Sequence, residues 1–382
     1  MPKKGYVMLS GGVDSSVASF LLQQQGYQVY CIYMKCWSLD QLDRLGLSRE
    51  LYACNWEDDL MDARSVAKKI VADFEVWDFQ DEYLDNVVDY MIREYKNGRT
   101  PNPDVMCNST IKFGIFYERA ISVGADFVAS GHYARMGQFK DHKAIFRGVY
   151  PAKDQSYFLW KIKKDQLDKI IFPIGDFKTK QELRSKALSQ SLITANKKDS
   201  QGLCFVGKTP LRELLIQKIG KKPGYILQDK VFEGDVTKKD KVFNYNAQTF
   251  KVLGNHSGAF VYTIGQREKL GLSGGPWFVS RIDIDKNLVF VVHGDKKDQL
   301  ETNKLKLIDL NYQVGYDYWP KDNLSAQIRY HGEVVECSVN KLENQDLVVN
   351  FKNRVKAASK GQSVVFYHQD IMLGGGVIQQ VF

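Results

Sequence analysis

Six cysteines and six histidines in 382 residues are few, and no two cysteines stand in C-x2-C spacing. A zinc site has weak support on that basis, and no metal bound by the protein itself is expected. No apolar run is long enough to span a bilayer. No secretory h-region follows Met1, because the first strand begins almost at once. A cytoplasmic protein with reduced thiols and no membrane association is therefore expected. Two common nucleotide signatures are also missing: neither GxxxxGK[ST] nor GxGxxG occurs at the first strand. The chain carries no internal repeat and no low-complexity tract.

The composition that remains is globular, with 44% hydrophobic and 26% charged residues, and the length predicts two or three domains. The formal net charge is +8. Such an excess fits a polyanionic partner such as RNA, or a merely solvated basic surface.

The first half alternates strand-like and helix-like segments. YVML, YQVYCIYM, FEVWDF and ADFVASGH read as strands. DSSVASFLLQQQG, WEDDLMDARSVAKKI, DEYLDNVVDYMIREYKNG and IKFGIFYERAISVG read as helices. This order predicts an α/β fold with a parallel sheet over residues 1–205. Residues 206–286 are rich in Gly and Lys and predict a small β-rich middle domain, with KVFNY and AFVYTIG as strands. Residues 287–382 contain NLVFVVHG, SAQIRYHGEVVECSVN, DLVVNF and QSVVFYHQDIMLGGGVI, which predict a small antiparallel barrel.

Residues 10–16 read SGGVDSS, where a strand should turn into a helix. Gly11 and Gly12 permit positive φ and close backbone approach to a ligand. The helix start offers N–H groups and a positive dipole end. Ser10, Ser15 and Ser16 can add hydrogen bonds to phosphate oxygens, while Asp14 can hold magnesium or orient the loop. The bland alternative is a Gly-Gly turn with a Ser/Asp N-cap. The string resembles the PP-loop of ATP pyrophosphatases, which split ATP between its α and β phosphates and use AMP to activate a substrate oxygen.

Two further loops carry cysteines. In GRTPNPDVMCNSTIKFG, Pro101 and Pro103 stiffen the chain, and Asn108 or Ser109 is the expected N-cap of the next helix. Cys107 would then lie near a helix N-terminus, which favours the thiolate, with Asp104 near it as a possible general base. In KKDSQGLCFVG, Cys204 follows a glycine just past a polar turn. Each taken alone could be a buried structural cysteine. If tertiary folding brings them together, they could cycle between thiol, persulfide and disulfide. Cys31 and Cys337 lie inside strand patterns, and Cys36 and Cys54 flank an insertion bordered by tryptophans; none of the four is given a role.

SGGVDSS, NPDVMCN and DSQGLCF together resemble the tRNA-specific 2-thiouridylases (MnmA or TrmU family). MDARSVAKK, SGHYAR, KDQSYFLW, VYTIGQREKLGLSGGPWFV, AQIRYHG, KGQSVVFY and LGGGVI extend the resemblance along most of the chain. It implies a PP-loop domain of the adenine nucleotide alpha hydrolase kind, a tRNA-contacting central domain and a C-terminal β-barrel. ATP with Mg2+ would bind Met8, Leu9, Ser10, Gly11, Gly12, Val13, Asp14 and Ser15, with Met34 and Gly131 also lining the nucleotide. Asn102, Pro103 and Asp104 would approach the target base. His132, Lys153, Asp154, Gln155, Arg329, Tyr330 and Gln362 would contact tRNA near its anticodon. Cys107 and Cys204 would be the catalytic pair and Asp104 the acid/base group.

The chemistry implied is adenylation of the C2 oxygen of the wobble uridine, then replacement of AMP by sulfur. Cys204 would carry the persulfide and Cys107 would attack it, or the persulfide would attack C2 directly before the disulfide closes. The sulfur would come from a cysteine desulfurase or relay protein. Family members often carry a lysine soon after the first catalytic cysteine, whereas this chain has Asn108, Ser109 and Thr110; the stretch 37–55 is also unusual. Two other readings share part of the pattern. A different PP-loop enzyme, such as a lysidine-forming ligase, needs no cysteine pair. A non-catalytic RNA binder needs no intact loop.

Overall fold

The computed structural model describes residues 1–47, 56–198, 211–229 and 250–382. Cys54, Cys204 and the expected strand KVFNY lie outside the described residues.

The N-terminal unit is built on a five-stranded parallel sheet of β1 (Lys4–Met8), β2 (Gln28–Lys35), β3 (Asp73–Asp78), β4 (Phe127–Ala129) and β7 (Ile170–Ile171). Their spatial order is β3-β2-β1-β4-β7. Side chains alternate across β1: Tyr6 and Met8 enter one apolar cluster, while Val7 and Leu9 beyond its end enter another. Both sheet faces are thus covered, which is why YVML reads as a continuous apolar run. Helices α1 (Val13–Gln24), α3 (Trp56–Lys69) and α8 (Lys180–Ser189) pack on the Val7 side. A short α2 (Leu39–Arg44) precedes α3.

Two helices predicted as continuous contain π-wound turns. One runs as α4 (Gln80–Tyr83), a π segment Leu84–Val88 and α5 (Asp89–Lys96). The other begins earlier than expected, as α6 (Pro103–Met106), a π segment Cys107–Phe116 and α7 (Tyr117–Ser122). Here Thr110 Oγ1 donates to the Met106 carbonyl at 2.7 Å and competes for the acceptor that a regular turn would use. π turns of this kind are frequent at functional sites.

The middle unit contains α9 (Leu211–Ile219) and a four-stranded sheet of β8 (Gly224–Gln228), β9 (Val252–His256), β10 (Trp277–Asp283) and β11 (Leu288–His293) in the order β10-β11-β8-β9. Two sequence expectations change. NLVFVVHG is β11 and pairs with β10 and β8, so it belongs to this sheet and not to the barrel. AFVYTIG is a 3-10 turn at Ala259–Val261 followed by loop, with Ala259, Phe260 and Tyr262 buried without a ladder partner.

The C-terminal barrel closes six antiparallel strands: β12 (Glu301–Tyr312), β13 (Leu324–Gln327), β14 (Val334–Lys341), β15 (Leu347–Lys356), β16 (Ser363–His368) and β17 (Ile371–Val381). β12 closes it by pairing with both β15 and β17. A hairpin from the first half, β5 (Ala134–Phe139) and β6 (His142–Arg147), adds to β17. One apolar cluster therefore runs from the parallel sheet through fully buried Trp160 to Tyr367 and Met372. Gly375 of β17 lies against that tryptophan: a Cβ there would sit 2.7 Å from Trp160 Cδ2 and 2.7 Å from the Val364 carbonyl oxygen. Gly375→Ala is expected to destabilise the fold by about 1–3 kcal/mol through overpacking, read as a lowered urea midpoint with unchanged slope.

Candidate active site

The sheet order reverses between β1 and β4, and a doubly wound sheet takes its ligands beyond the strand ends at such a point. Residues 9–12 and 130–132 meet there. Gly11 has φ of 75°, and a Cβ on it would stand 2.1 Å from the Asp59 carbonyl oxygen of α3. Gly12 is the N-cap of α1 and has no side chain to cap it. Ser15 Oγ instead turns back, donating to the Gly12 carbonyl at 3.0 Å and lying 3.1 Å from Ser10 Oγ. The bland reading required a serine or aspartate at the N-cap; the helix start is left for an anion instead. Gly131 closes the other side, since a Cβ there would be 2.7 Å from the Ser15 amide nitrogen. Met34, the penultimate residue of β2, is half-buried at the same end of the sheet.

Asp14 is held on both oxygens. Lys180 Nζ donates to them at 2.8 and 2.9 Å, and Tyr133 Oη donates to Oδ1 at 3.0 Å. Lys180 was missed in the sequence because it lies on α8, far from the loop. Lys197 Nζ similarly binds Asp59 at 2.7 Å and fixes the segment packed behind Gly11.

The second expected loop lies at the junction with the barrel. Asn102 caps α6, its Oδ1 accepting from the Val105 amide at 3.2 Å, with Pro103 in the first turn. This corrects the expected cap at Asn108 or Ser109: N-P-D is itself a start signal, asparagine followed by proline at the first helical position. Cys107 consequently sits beyond the first turn, where the dipole's influence has largely faded. The barrel holds the stretch before it. Gln362 Nε2 donates to the Thr100 carbonyl at 3.1 Å, and the Lys360 carbonyl accepts from the Thr100 amide at 2.8 Å. Tyr157 Oη donates to the Ser363 carbonyl at 2.9 Å, and Asn108 Nδ2 to the Phe158 carbonyl at 3.3 Å. The Tyr330 ring lies 4.4 Å from that of Phe158.

Asp104 is open to solvent, yet the surrounding protein raises its carboxyl pKa by desolvation, with Lys112 opposing. A carboxyl whose pKa is raised by desolvation has the character an acid/base residue needs. Burial also pushes the Tyr330 hydroxyl up to about 12, with Asp154 and Asp104 adding to the rise.

Three expected RNA contacts are placed less directly. His132 is buried, its ring 6.0 Å from both Phe113 and Phe172, and its Nδ1 pairs with Ser130 Oγ at 2.7 Å. Burial, then Lys112, lowers its pKa well below the usual value, so the ring is neutral. Asp154 is turned inward, accepting from Arg147 at 2.9 Å, the Gly148 amide at 3.0 Å and Ser156 Oγ at 3.1 Å. Gln155 Oε1 accepts from the Tyr133 amide at 3.0 Å. Lys153 is half-buried and Arg329 exposed. Cys31 and Cys337 are buried in strands, where desolvation pushes both thiols up to about 12, an inert state.

An uncapped, glycine-walled helix start at the switch point of a parallel sheet, joined to a six-stranded barrel, defines a nucleotide-handling enzyme of the PP-loop class. Family models agree domain by domain. The tRNA methyl transferase HUP domain matches residues 3–208, the tRNA methyl transferase PRC-barrel domain 212–293, and the aminomethyltransferase β-barrel domain 302–378. Among similar proteins, a tRNA-specific 2-thiouridylase MnmA of Christiangramia forsetii is 40% identical over 98% of this chain and all of its own length. One from Listeria innocua is 40% identical over 98% of this chain and 94% of its own. A solved 4-thiouridine synthetase–RNA complex with bound ATP matches with a TM-score of 0.33 at 15% identity, covering 57% of this chain and 50% of that one, which is too distant to carry an argument. The chain belongs to the tRNA-specific 2-thiouridylase MnmA family. No described helix is long and apolar enough to cross a membrane.

Gly131→Ala is expected to push the first turn of α1 away and weaken ATP binding by about 10- to 100-fold, measured by calorimetry on protein of unchanged circular dichroism. Asp104→Asn is expected to raise stability at neutral pH. A carboxyl with a raised folded-state pKa favours folding fully only below its unfolded pKa, and that contribution is lost as pH rises through the folded value. The stability gap between variant and wild type should therefore widen from acid to neutral pH in urea titrations.

Proposed function

We propose that the protein is a tRNA 2-thiouridylase, an ATP-dependent sulfurtransferase that converts the wobble uridine of tRNA to 2-thiouridine. One observation carries the reading. The anion site at α1 is linked to the chain just before Asn102: Tyr133 bonds Asp14 and Gln155, Tyr157 two residues on bonds the Ser363 carbonyl of the barrel, and the adjacent Gln362 bonds the Thr100 carbonyl.

The uracil C2 oxygen is a poor leaving group. In this reading it attacks the α-phosphorus of ATP, whose triphosphate lies along the loop from Met8 to Ser15, with magnesium held by the phosphates. Pyrophosphate leaves, and AMP becomes the group to be displaced. Asp104, with its raised pKa, moves a proton at the base. The terminal sulfur of a persulfide on Cys204 attacks C2 and AMP departs. The Cys107 thiolate then attacks the Cys204 sulfur, closing a disulfide and leaving the thiocarbonyl on the base. A thiol reductant reopens the disulfide for the next turnover. If Cys107 instead attacks the persulfide first, hydrosulfide is the nucleophile and the products are the same.

The target base has to leave its stack to reach Asp104. Neutral His132 shares the influence of Lys112 with Asp104, and Tyr330 and exposed Arg329 stand in the turn after β13 of the barrel. The +8 net charge suits tRNA as partner. The sulfur donor is a cysteine desulfurase or relay protein, and the setting is the cytoplasm.

The test is incubation with ATP, magnesium, a persulfide donor and unmodified tRNA, followed by nucleoside mass spectrometry. 2-Thiouridine should form with wild type and fall to background with Cys107→Ala or Cys204→Ala. Asp104→Ala should lower turnover by about 10^2- to 10^4-fold. Absence of 2-thiouridine from a folded, ATP-binding preparation, or full activity in both cysteine variants, would overturn the reading.

A further inference from the structure

The loop SGGVDSS lacks the lysine that a Walker loop carries, yet the reaction leaves a highly charged pyrophosphate that needs a cation beside magnesium. We propose that Lys180 is that cation: its ammonium pairs with Asp14 at rest and transfers to the β- and γ-phosphates when ATP occupies the start of α1. This rests on the reading that ATP is split between its α and β phosphates.

The geometry argues for it in three ways. First, Lys180 Nζ bonds both carboxylate oxygens of a residue in the first turn of α1, at 2.8 and 2.9 Å. A phosphate seated on that helix start therefore lies within the swing of one lysine side chain. Second, Lys180 is the first residue of α8, the end of a helix where its own dipole disfavours a cation. Asp14 offsets that cost, and an incoming anion would do so as well. Third, the backbone that carries Lys180 is anchored. Thr179 Oγ1 accepts from the Glu182 amide at 3.1 Å, and Glu182 Oε2 accepts from the Lys178 amide at 2.8 Å, fixing the first turn. Leu183 and Ala187 of α8 share an apolar cluster with Val13 and Val17 of α1, which keeps the two helices in register. Rotation about the Lys180 side-chain bonds then carries the ammonium from Asp14 toward a phosphate at the start of α1.

Lys197 does not fill this place. Asp59 and Asp62 both bind it, and Asp59 lies behind Gly11. With Lys180 on the phosphates, the Pα–O–Pβ bond breaks as the uracil oxygen bonds to Pα. The electron pair stays on the β-phosphate oxygen, where the ammonium stabilises it. Tyr133 Oη keeps its bond to Asp14 and orients the released carboxylate.

Calorimetry with ATP, AMP and pyrophosphate on the full-length wild type, Lys180→Met, Lys180→Arg and Asp14→Asn tests the assignment. Lys180→Met should weaken ATP and pyrophosphate by about 10- to 100-fold and leave AMP unchanged, because AMP lacks the phosphates concerned. Lys180→Arg should retain most of the ATP affinity. Asp14→Asn, which removes the Asp14 charge but keeps the lysine, should hold or raise the ratio of ATP to AMP affinity. Equal loss for AMP and ATP in Lys180→Met, no loss at all, or a fall of the ratio in Asp14→Asn would overturn the proposal by making the pair structural. Should Lys180→Met fail to fold, the Arg and Asn variants decide on the same ratio. These measurements need neither tRNA nor sulfur, so failure of the 2-thiouridine assay would count against the function and not against Lys180.

Discussion

The first turn of α1 presents backbone N–H groups that no side chain caps, and the surrounding chain is arranged about the anion those groups require. β1 delivers the loop to the switch point of the sheet. Gly11 and Gly131 are small because backbone passes behind and in front of the loop at distances that exclude a Cβ, and Gly12 leaves the helix start without a side-chain cap. Asp14, the one carboxylate in that turn, would repel an anion if unpaired, and it is held by Lys180 and Tyr133. Removing the helix start from this arrangement would leave the glycines, the lysine and the tyrosine with no common purpose.

The second half of the site depends on the first through contact between domains. Tyr133 follows the strand end that carries Gly131, and its amide is bound by Gln155. Two residues on, Tyr157 reaches the barrel at Ser363, and Gln362 holds the chain just before Asn102. Asp104 and His132 both feel the charge of Lys112 on the same π-wound helix. The start of α1 and the segment around Asn102 are therefore held in place by a connected set of side chains. The barrel helps fix where the Cys107 helix begins, because Gln362 and Lys360 bond the chain at Thr100.

Local patterns made much of this legible. SGGVDSS between an apolar run and a helical run marks the loop, and alternating strands and helices mark the parallel sheet. What could not be read has physical reasons. β12 is dense in lysine and asparagine, so its buried Leu305 and Leu307 are masked by charged neighbours on the outer face. The β5–β6 hairpin gains its place only by pairing with β17, far away in sequence. AFVYTIG is apolar because it is buried, and burial does not by itself make a strand. Lys180 carries no local signature, since its meaning lies in a carboxylate on another helix. His132 and Asp154 sit in polar strings that read as surface; tertiary packing turns both inward.

The central claim is that ATP joins its α-phosphate to an RNA oxygen so that sulfur can replace it. Transcript tRNA carrying 18O at the C2 position of its uridines tests this in a single turnover with ATP and a persulfide donor. The account predicts one 18O atom in the phosphate of the AMP released for each 2-thiouridine formed. Label appearing in water, or in pyrophosphate, with unlabelled AMP beside the thiolated base would contradict it.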